Sequence, residues 1–147
     1  MENQVAGLVE NLDSVKQTAQ NGAEFWMARD ILPHLGYTTW ENFSAVIEKA
    51  KIACDGSGAH STNHFRDVTK KIEVGKGAMA ERADCYLSRY ACYMIAMNGD
   101  PRKVEIATAQ TYFAVQARLQ EKQQDLDKRL ELRERITNSV YPPPYKR

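Results

Sequence analysis

This sequence predicts an α+β domain: a small antiparallel sheet built from two hairpins, covered by four to five helices and ending in a long C-terminal helix. Three observations carry that expectation. Asn21-Gly22 stands between two segments with strand character, and a pair that tolerates positive φ is the strongest short hairpin signal. The stretch from Tyr86 to Arg118 supplies two helices and the corner between them. Beyond it, Leu119, Leu126 and Leu130 prolong the second helix at seven- and four-residue spacing.

Taken in order, Val5, Leu8, Val9, Leu12 and Val15 lie at helical spacing, and the helix they form is expected to end near Asp13. Strands follow near Val15–Ala19 and Ala23–Met27. The competing reading of that segment is a helix ending at Gly22. Arg29 to Leu35 reads as a helix stopped at Gly36, with Pro33 in its first turns. Thr38 or Thr39 caps a longer helix, with Glu41 or Asn42 near the third position. Its buried stripe is Trp40, Phe43, Ile47 and Ala50. Residues 55–63 are turn formers and read as a loop. His64 to Ile72 alternates only weakly and reads as a short helix or an irregular segment. Ile72 and Val74 then form one strand, Cys85 and Leu87 another, and Gly75-Lys76-Gly77 begins a flexible connection.

The organising stretch is the most explicit. Ser88 is a good N-cap, and Tyr90, Tyr93, Met94 and Met97 mark an apolar face. Asn98-Gly99 is a stop with glycine in the left-handed region. Asp100 caps the next helix with Pro101 at its first position. Val104, Ala107, Tyr112, Phe113, Ala114 and Val115 continue the apolar pattern. Trp26, Trp40, Phe43, Tyr93 and Phe113 are expected to be mostly buried. From Arg118 to Arg135 six cations face five anions, which suits a solvated helix or a weak coiled coil. Leu119, Leu126 and Leu130, with Gln123 in the seam, are the candidate dimer interface; a helix packed back on its own domain is the alternative. The tail Y-P-P-P-Y-K-R cannot be helical and reads as extended or disordered.

The same stretch carries a resemblance. L-S-R-Y-A-C-Y-M-I-A-M-N-G-D-P-R-K followed by I-A-T-A-Q-T-Y-F-A-V-Q-A-R-L-Q-E closely resembles the bacterial DNA-damage-inducible protein D family, within the wider BRO N-terminal domain group. N-G-A-E-F-W-M-A-R-D-I, L-G-Y, W-E-N-F and I-E-K-A-K-I-A-C resemble it upstream in the same order, so the likeness runs from about Ser14 to Glu121. It implies a DNA-binding module tied to the DNA-damage (SOS) response in a bacterial or phage-related setting. Members of the family are often longer, with a further C-terminal region. The expected division is a domain over 1–121, a helical extension over 122–140 and the tail over 141–147.

Bulk numbers bound the chemistry. A chain of 147 residues with 43% hydrophobic and 27% charged residues is expected to be one ordinary globular domain. The net charge of +1 gives no global nucleic-acid signal, so any electrostatic footprint must be local. Three cysteines form no even set and read as reduced intracellular thiols, with Cys85 and Cys92 as small buried hydrophobes. The start M-E-N-Q-V has no basic region or long apolar run, and no stretch reaches transmembrane length. The expectation is a cytoplasmic protein with no membrane contact.

Specific chemistry is largely excluded. Cys54, His60 and His64 lack the tight ligand pairing and the fourth ligand of a structural zinc site, and no metal or cofactor is expected. Gly75-Lys76-Gly77 is not a phosphate loop, because the Gly-x4-Gly-Lys-Ser/Thr pattern is absent. No nucleophile elbow and no clustered carboxylate pair stand in the sequence, so no enzyme is expected. A local basic surface remains. Between Lys49 and Lys76, six cations (Lys49, Lys51, Arg66, Lys70, Lys71 and Lys76) oppose three anions. Arg82, Arg89, Arg102 and Lys103 add to them nearby. Charge alone reads as a solvated face; the family resemblance makes these residues candidates for phosphate contacts on DNA. The other function class is a protein–protein module that regulates repair or recombination proteins, as a dimer through the last helix.

Overall fold

Turn residues decide where the chain reverses. The computed structural model describes residues 2–140; the proline-rich tail lies outside the described residues. After a first helix, α1 (Glu2–Val15), the chain forms β1 (Gln17–Thr18) and β2 (Glu24–Met27). Between them Gly22 sits at φ +87°, and Asn21 Oδ1 accepts a bond from the Ala23 amide at 3.0 Å. The predicted first hairpin is thus present, with both strands short.

The second hairpin is longer than expected. It joins β3 (Phe65–Gly75) to β4 (Ala78–Leu87). Lys76 at φ +46° and Gly77 at +80° occupy the connection, so it is a two-residue turn of the primed type, not a flexible loop. Residues 65–72, expected to be helical or irregular, are strand. Their alternation is weak because almost every residue from Thr69 to Arg82 is exposed, and only Ile72 and Ala80 are half-buried. Cross-strand backbone bonds, not an apolar face, hold this part. All pairings are antiparallel in the order β1-β2-β4-β3. Because β2 meets only Leu87 and Tyr86 at the base of β4, the rest of β3 and β4 is a two-stranded ribbon.

The helices pack on the base of that sheet. Proline fixes φ and withholds an N–H, and Pro33 accordingly divides the predicted 29–35 helix into α2 (Ala28–Ile31) and a 3-10 turn (Pro33–Leu35). Gly36 ends it in the left-handed region, with the Glu105 carboxylate standing where a Cβ would lie. Thr39 caps α3 (Trp40–Gly56), its hydroxyl accepting from the Asn42 amide. Phe43, Val46, Ile47, Ala50 and Cys54 are its buried face, and Trp40 is only half-buried. Ser88 caps α4 (Arg89–Asn98) by accepting from the Ala91 amide. The buried residues of α4 are Ala91, Cys92, Met94, Ile95 and Ala96; Tyr90 and Tyr93 are half-buried and Met97 is exposed, so the inward face is rotated from the one expected. Trp26 and Phe43 are core, whereas Tyr93 and Phe113 are half-buried.

The corner after α4 differs in detail from the expectation. Gly99 is extended (φ −79°, ψ 172°), not left-handed. Glycine leaves room there for a close approach: a Cβ would stand 2.6 Å from Ile106 Cδ1, so a larger residue would force the Ile106 side chain to shift. The Asp100 carboxylate accepts from the Arg102 amide and guanidinium, closing a turn over Pro101–Lys103 before α5 begins at Val104, three residues later than expected. Asp100 N–H donates to the Tyr37 hydroxyl, which ties this turn to the chain before α3.

The last helix, α5, spans Val104–Val140. The chain divides within it into two units, Met1–Thr111 and Tyr112–Arg147. The expected division at Glu121 also falls inside α5. In the first unit Ile106 and Ala109 join the core. In the second, every residue from 114 to 136 is exposed, Leu119, Leu126 and Leu130 included. Among the described residues, no helix is long and apolar enough to cross a membrane.

Candidate nucleic-acid interface

The register of the ribbon sorts its charges by face. Successive side chains on a strand alternate sides, and directly paired residues share one. On one face lie the pairs Arg66↔Tyr86, Val68↔Asp84, Lys70↔Arg82 and Ile72↔Ala80. On the other lie Asp67↔Cys85, Thr69↔Ala83, Lys71↔Glu81 and Glu73↔Met79. The second face has no excess of cations, since Lys71 stands opposite Glu81, Asp67 pairs with Lys51 at 2.7 Å, and Glu73 stands opposite the uncharged Met79. The first sets like charges, Lys70 and Arg82, directly opposite each other. Neither makes a salt bridge among the described residues.

Arg29, which sequence reasoning did not single out, joins that face. Its Nε donates to the Ala83 carbonyl at 2.6 Å, and its guanidinium lies 4.4 Å from the centre of the Trp40 ring. Asp84, buried beneath, accepts from the backbone N–H groups of Arg29 and Cys85 at 3.1 and 2.8 Å. Arg29, Asp30, Lys70, Ile72, Arg82 and Asp84 line a shallow concavity of about 200 Å³. Burial, and next the neighbouring Arg82 cation, hold the Arg29 pKa below its ordinary value. The Asp84 and Glu41 carboxylates act in the opposite direction and support the Arg29 charge.

A second hollow of about 220 Å³ lies further along the same face. Phe25, Asn63, His64, Arg66 and Tyr86 are among its lining. The Phe25 and Tyr86 rings are 5.3 Å apart and tilted by 57°, and the Arg66 guanidinium lies 5.9 Å from the Tyr86 ring centre. Both rings are half-buried. The signal that could have found this face is the two-residue rhythm Arg66, Val68, Lys70, Ile72 on β3 against Tyr86, Asp84, Arg82, Ala80 on β4.

The remaining predicted cations are dispersed. Lys49 is exposed on α3, and Lys76 stands at the ribbon tip. Lys51 is held by Glu48 and Asp67; burial opposes its charge, yet those two hydrogen bonds outweigh it and raise its pKa. Arg89 pairs with Glu24 at 2.8 Å and lies over Trp26. Arg102 pairs with Asp100, and Lys103 Nζ stands 4.8 Å from the Tyr37 ring centre. Of the ten candidates, the structure brings Arg66, Lys70 and Arg82 together on one face of the ribbon. Elsewhere, His64 Nδ1 lies 2.7 Å from the Ser88 hydroxyl and its ring packs on Tyr90, while Cys54 is fully buried. Among the described residues, no group of three or more His, Cys, Asp or Glu side chains is placed to hold a metal ion.

Comparison with known proteins accords with the resemblance read from the sequence. The model of the BRO family, N-terminal domain, matches residues 14–114. DNA damage-inducible protein D of Escherichia coli (strain K12) is 43% identical over 109 residues, a segment that is 74% of this chain and 40% of that protein. The chain thus spans well under half the length of the curated relative it matches. No solved structure matches.

Proposed function

We propose, for a chain that belongs to the BRO family through its N-terminal domain, a non-catalytic role in binding DNA within a damage-response or phage-related setting. The similarity to a protein named for its induction by DNA damage supports the setting. The like-charged pair Lys70↔Arg82, beside Arg29 and with Arg66 further along the same face, carries the binding. Like charges directly opposite each other cost stability in the free protein. A phosphate between them removes that cost and makes charge-assisted bonds to both. Most of the cations on this face are arginines, whose planar guanidinium suits phosphate geometry.

The experiment is fluorescence anisotropy of short labelled DNA with the intact chain and with Lys70→Glu and Arg82→Glu combined. The combined variant is expected to bind at least ten-fold more weakly whatever the sequence, because phosphate contacts carry no base preference. Equal affinity of a folded variant would remove this face from the function.

A second reading is favoured by one observation. Leu119, Leu126 and Leu130 are 53%, 49% and 52% exposed in a single chain, together with Val115. Such a row is unfavourable in water and suits a helical partner. The occupant proposed is a second copy of α5, which would also double the DNA-binding face and raise apparent affinity; DNA repair or recombination proteins are the other candidate partners. Sedimentation of the intact chain and of one ending at Glu121 tests it: the intact chain dimerises and the shorter one does not. Monomers throughout the micromolar range would contradict it.

A further inference from the structure

The basic hollow and the aromatic hollow lie on the same side of one sheet. Arg66 and Lys70 share β3, Tyr86 and Arg82 share β4, and each pair is four residues apart. At about 3.3 Å per residue the two hollows are centred about 13 Å apart, the reach of a short extended stretch of polynucleotide. One end offers cations and the other offers two half-exposed rings with Asn63 and His64 beside them. Sheet-borne aromatics flanked by a positive track are how proteins hold unpaired bases, because every base has a face to stack and every linkage carries a charge. A base inside a duplex is already stacked and cannot offer its face.

We propose that the hollow lined by Phe25 and Tyr86 is a stacking site for an unpaired nucleobase, so that this protein takes DNA as a single strand. The base lies against the Tyr86 ring. Arg66 holds the phosphate beside it, and Lys70 and Arg82 together hold one further along. Asn63 stands at the rim, where its side-chain amide can meet a base edge. The inference rests on the DNA-binding reading above and adds the strand form and the place of the base.

The test uses the full chain, a labelled oligothymidine and a duplex of equal length at one salt concentration. The single strand should bind at least ten-fold more tightly. Tyr86→Leu should lower single-strand affinity by about 5- to 150-fold, the change that loss of one base–aromatic stack produces, and leave duplex affinity alone. Tyr86→Phe keeps the ring and should bind like the unaltered chain. Irradiating the complex formed with 5-iodouracil-substituted oligothymidine should attach the strand at Phe25 or Tyr86, a readout independent of any variant's folding. Equal or tighter duplex binding, attachment only elsewhere, or an unchanged Tyr86→Leu would overturn the stacking site while leaving DNA binding at the Lys70–Arg82 face intact. Failure of both DNA forms to bind, or no effect of reversing Lys70 and Arg82, would overturn both readings.

Discussion

Reversing the charge at Lys70 should make the protein more stable and bind DNA less well. Lys70 stands directly across from Arg82 on an exposed ribbon. Facing Cβ atoms in antiparallel pairs are about 4.5–5.5 Å apart, and opposite charges there contribute about 0.2–1 kcal/mol. Lys70→Glu converts repulsion into attraction, worth about 0.5–1 kcal/mol after solvent screening. For a chain of this size that is a rise of about 1–4 °C in Tm. Lys71→Glu is the control. Lys71 faces Glu81 on the opposite side of the same strand, so reversal there should lower Tm by a similar amount and leave DNA affinity nearly unchanged. The assays are thermal melting by circular dichroism and anisotropy with labelled DNA, at one ionic strength. If Lys70→Glu lowers Tm and affinity together, the Lys70 cation is structural. If Lys71→Glu weakens binding as much as Lys70→Glu, charge is not sorted by face and the reasoning fails.

Other outcomes follow from the core and the titrating groups. Phe43 is fully buried, and Phe43→Ala should cost about 3–5 kcal/mol in a denaturant melt, whereas Phe113→Ala should cost less because that ring is half-exposed. Glu24, Asp55 and Asp100 have pKa values held below their ordinary 4.5, 3.8 and 3.8 by bonds from Arg89, from the Ser61 backbone and from Arg102. Their stabilising contribution is therefore present above those values and lost as pH falls through the lower folded ones; Tm against pH should drop below about pH 4. Burial pushes the Cys85 and Cys92 thiols up to about 12, so both should react with a thiol reagent at neutral pH only after unfolding.

Capping and turn chemistry are legible in the sequence because they act locally. Ser88, Thr39, Asn21-Gly22 and Gly36 each stand where their side chains or φ preferences put them. Gly99 departs from its expected conformation because its reason is not local: Ile106, seven residues later, fills the space a Cβ would need. The ribbon is half-legible. Ile72, Val74, Cys85 and Leu87 suggest strands, but the outer half of β3 buries little and so shows no apolar alternation. The candidate site is legible as a set of cations and not as a surface. Lys70 and Lys71 are neighbours in sequence and lie on opposite faces, and only the pairing of β3 with β4 separates them. Arg29 reads from sequence as no more than the start of a helix, and its approach to Ala83 crosses 54 residues of chain.

The dependence of DNA affinity on salt tests the central claim most directly. Each phosphate neutralised contributes about −0.7 to the slope of log K against log salt on single strands and about −0.9 on duplex. With Lys70 and Arg82 both reversed, the phosphate between them is no longer neutralised, and the slope should flatten by about 0.7 on single strands or about 0.9 on duplex. Parallel slopes for the intact chain and the folded double variant would contradict the account.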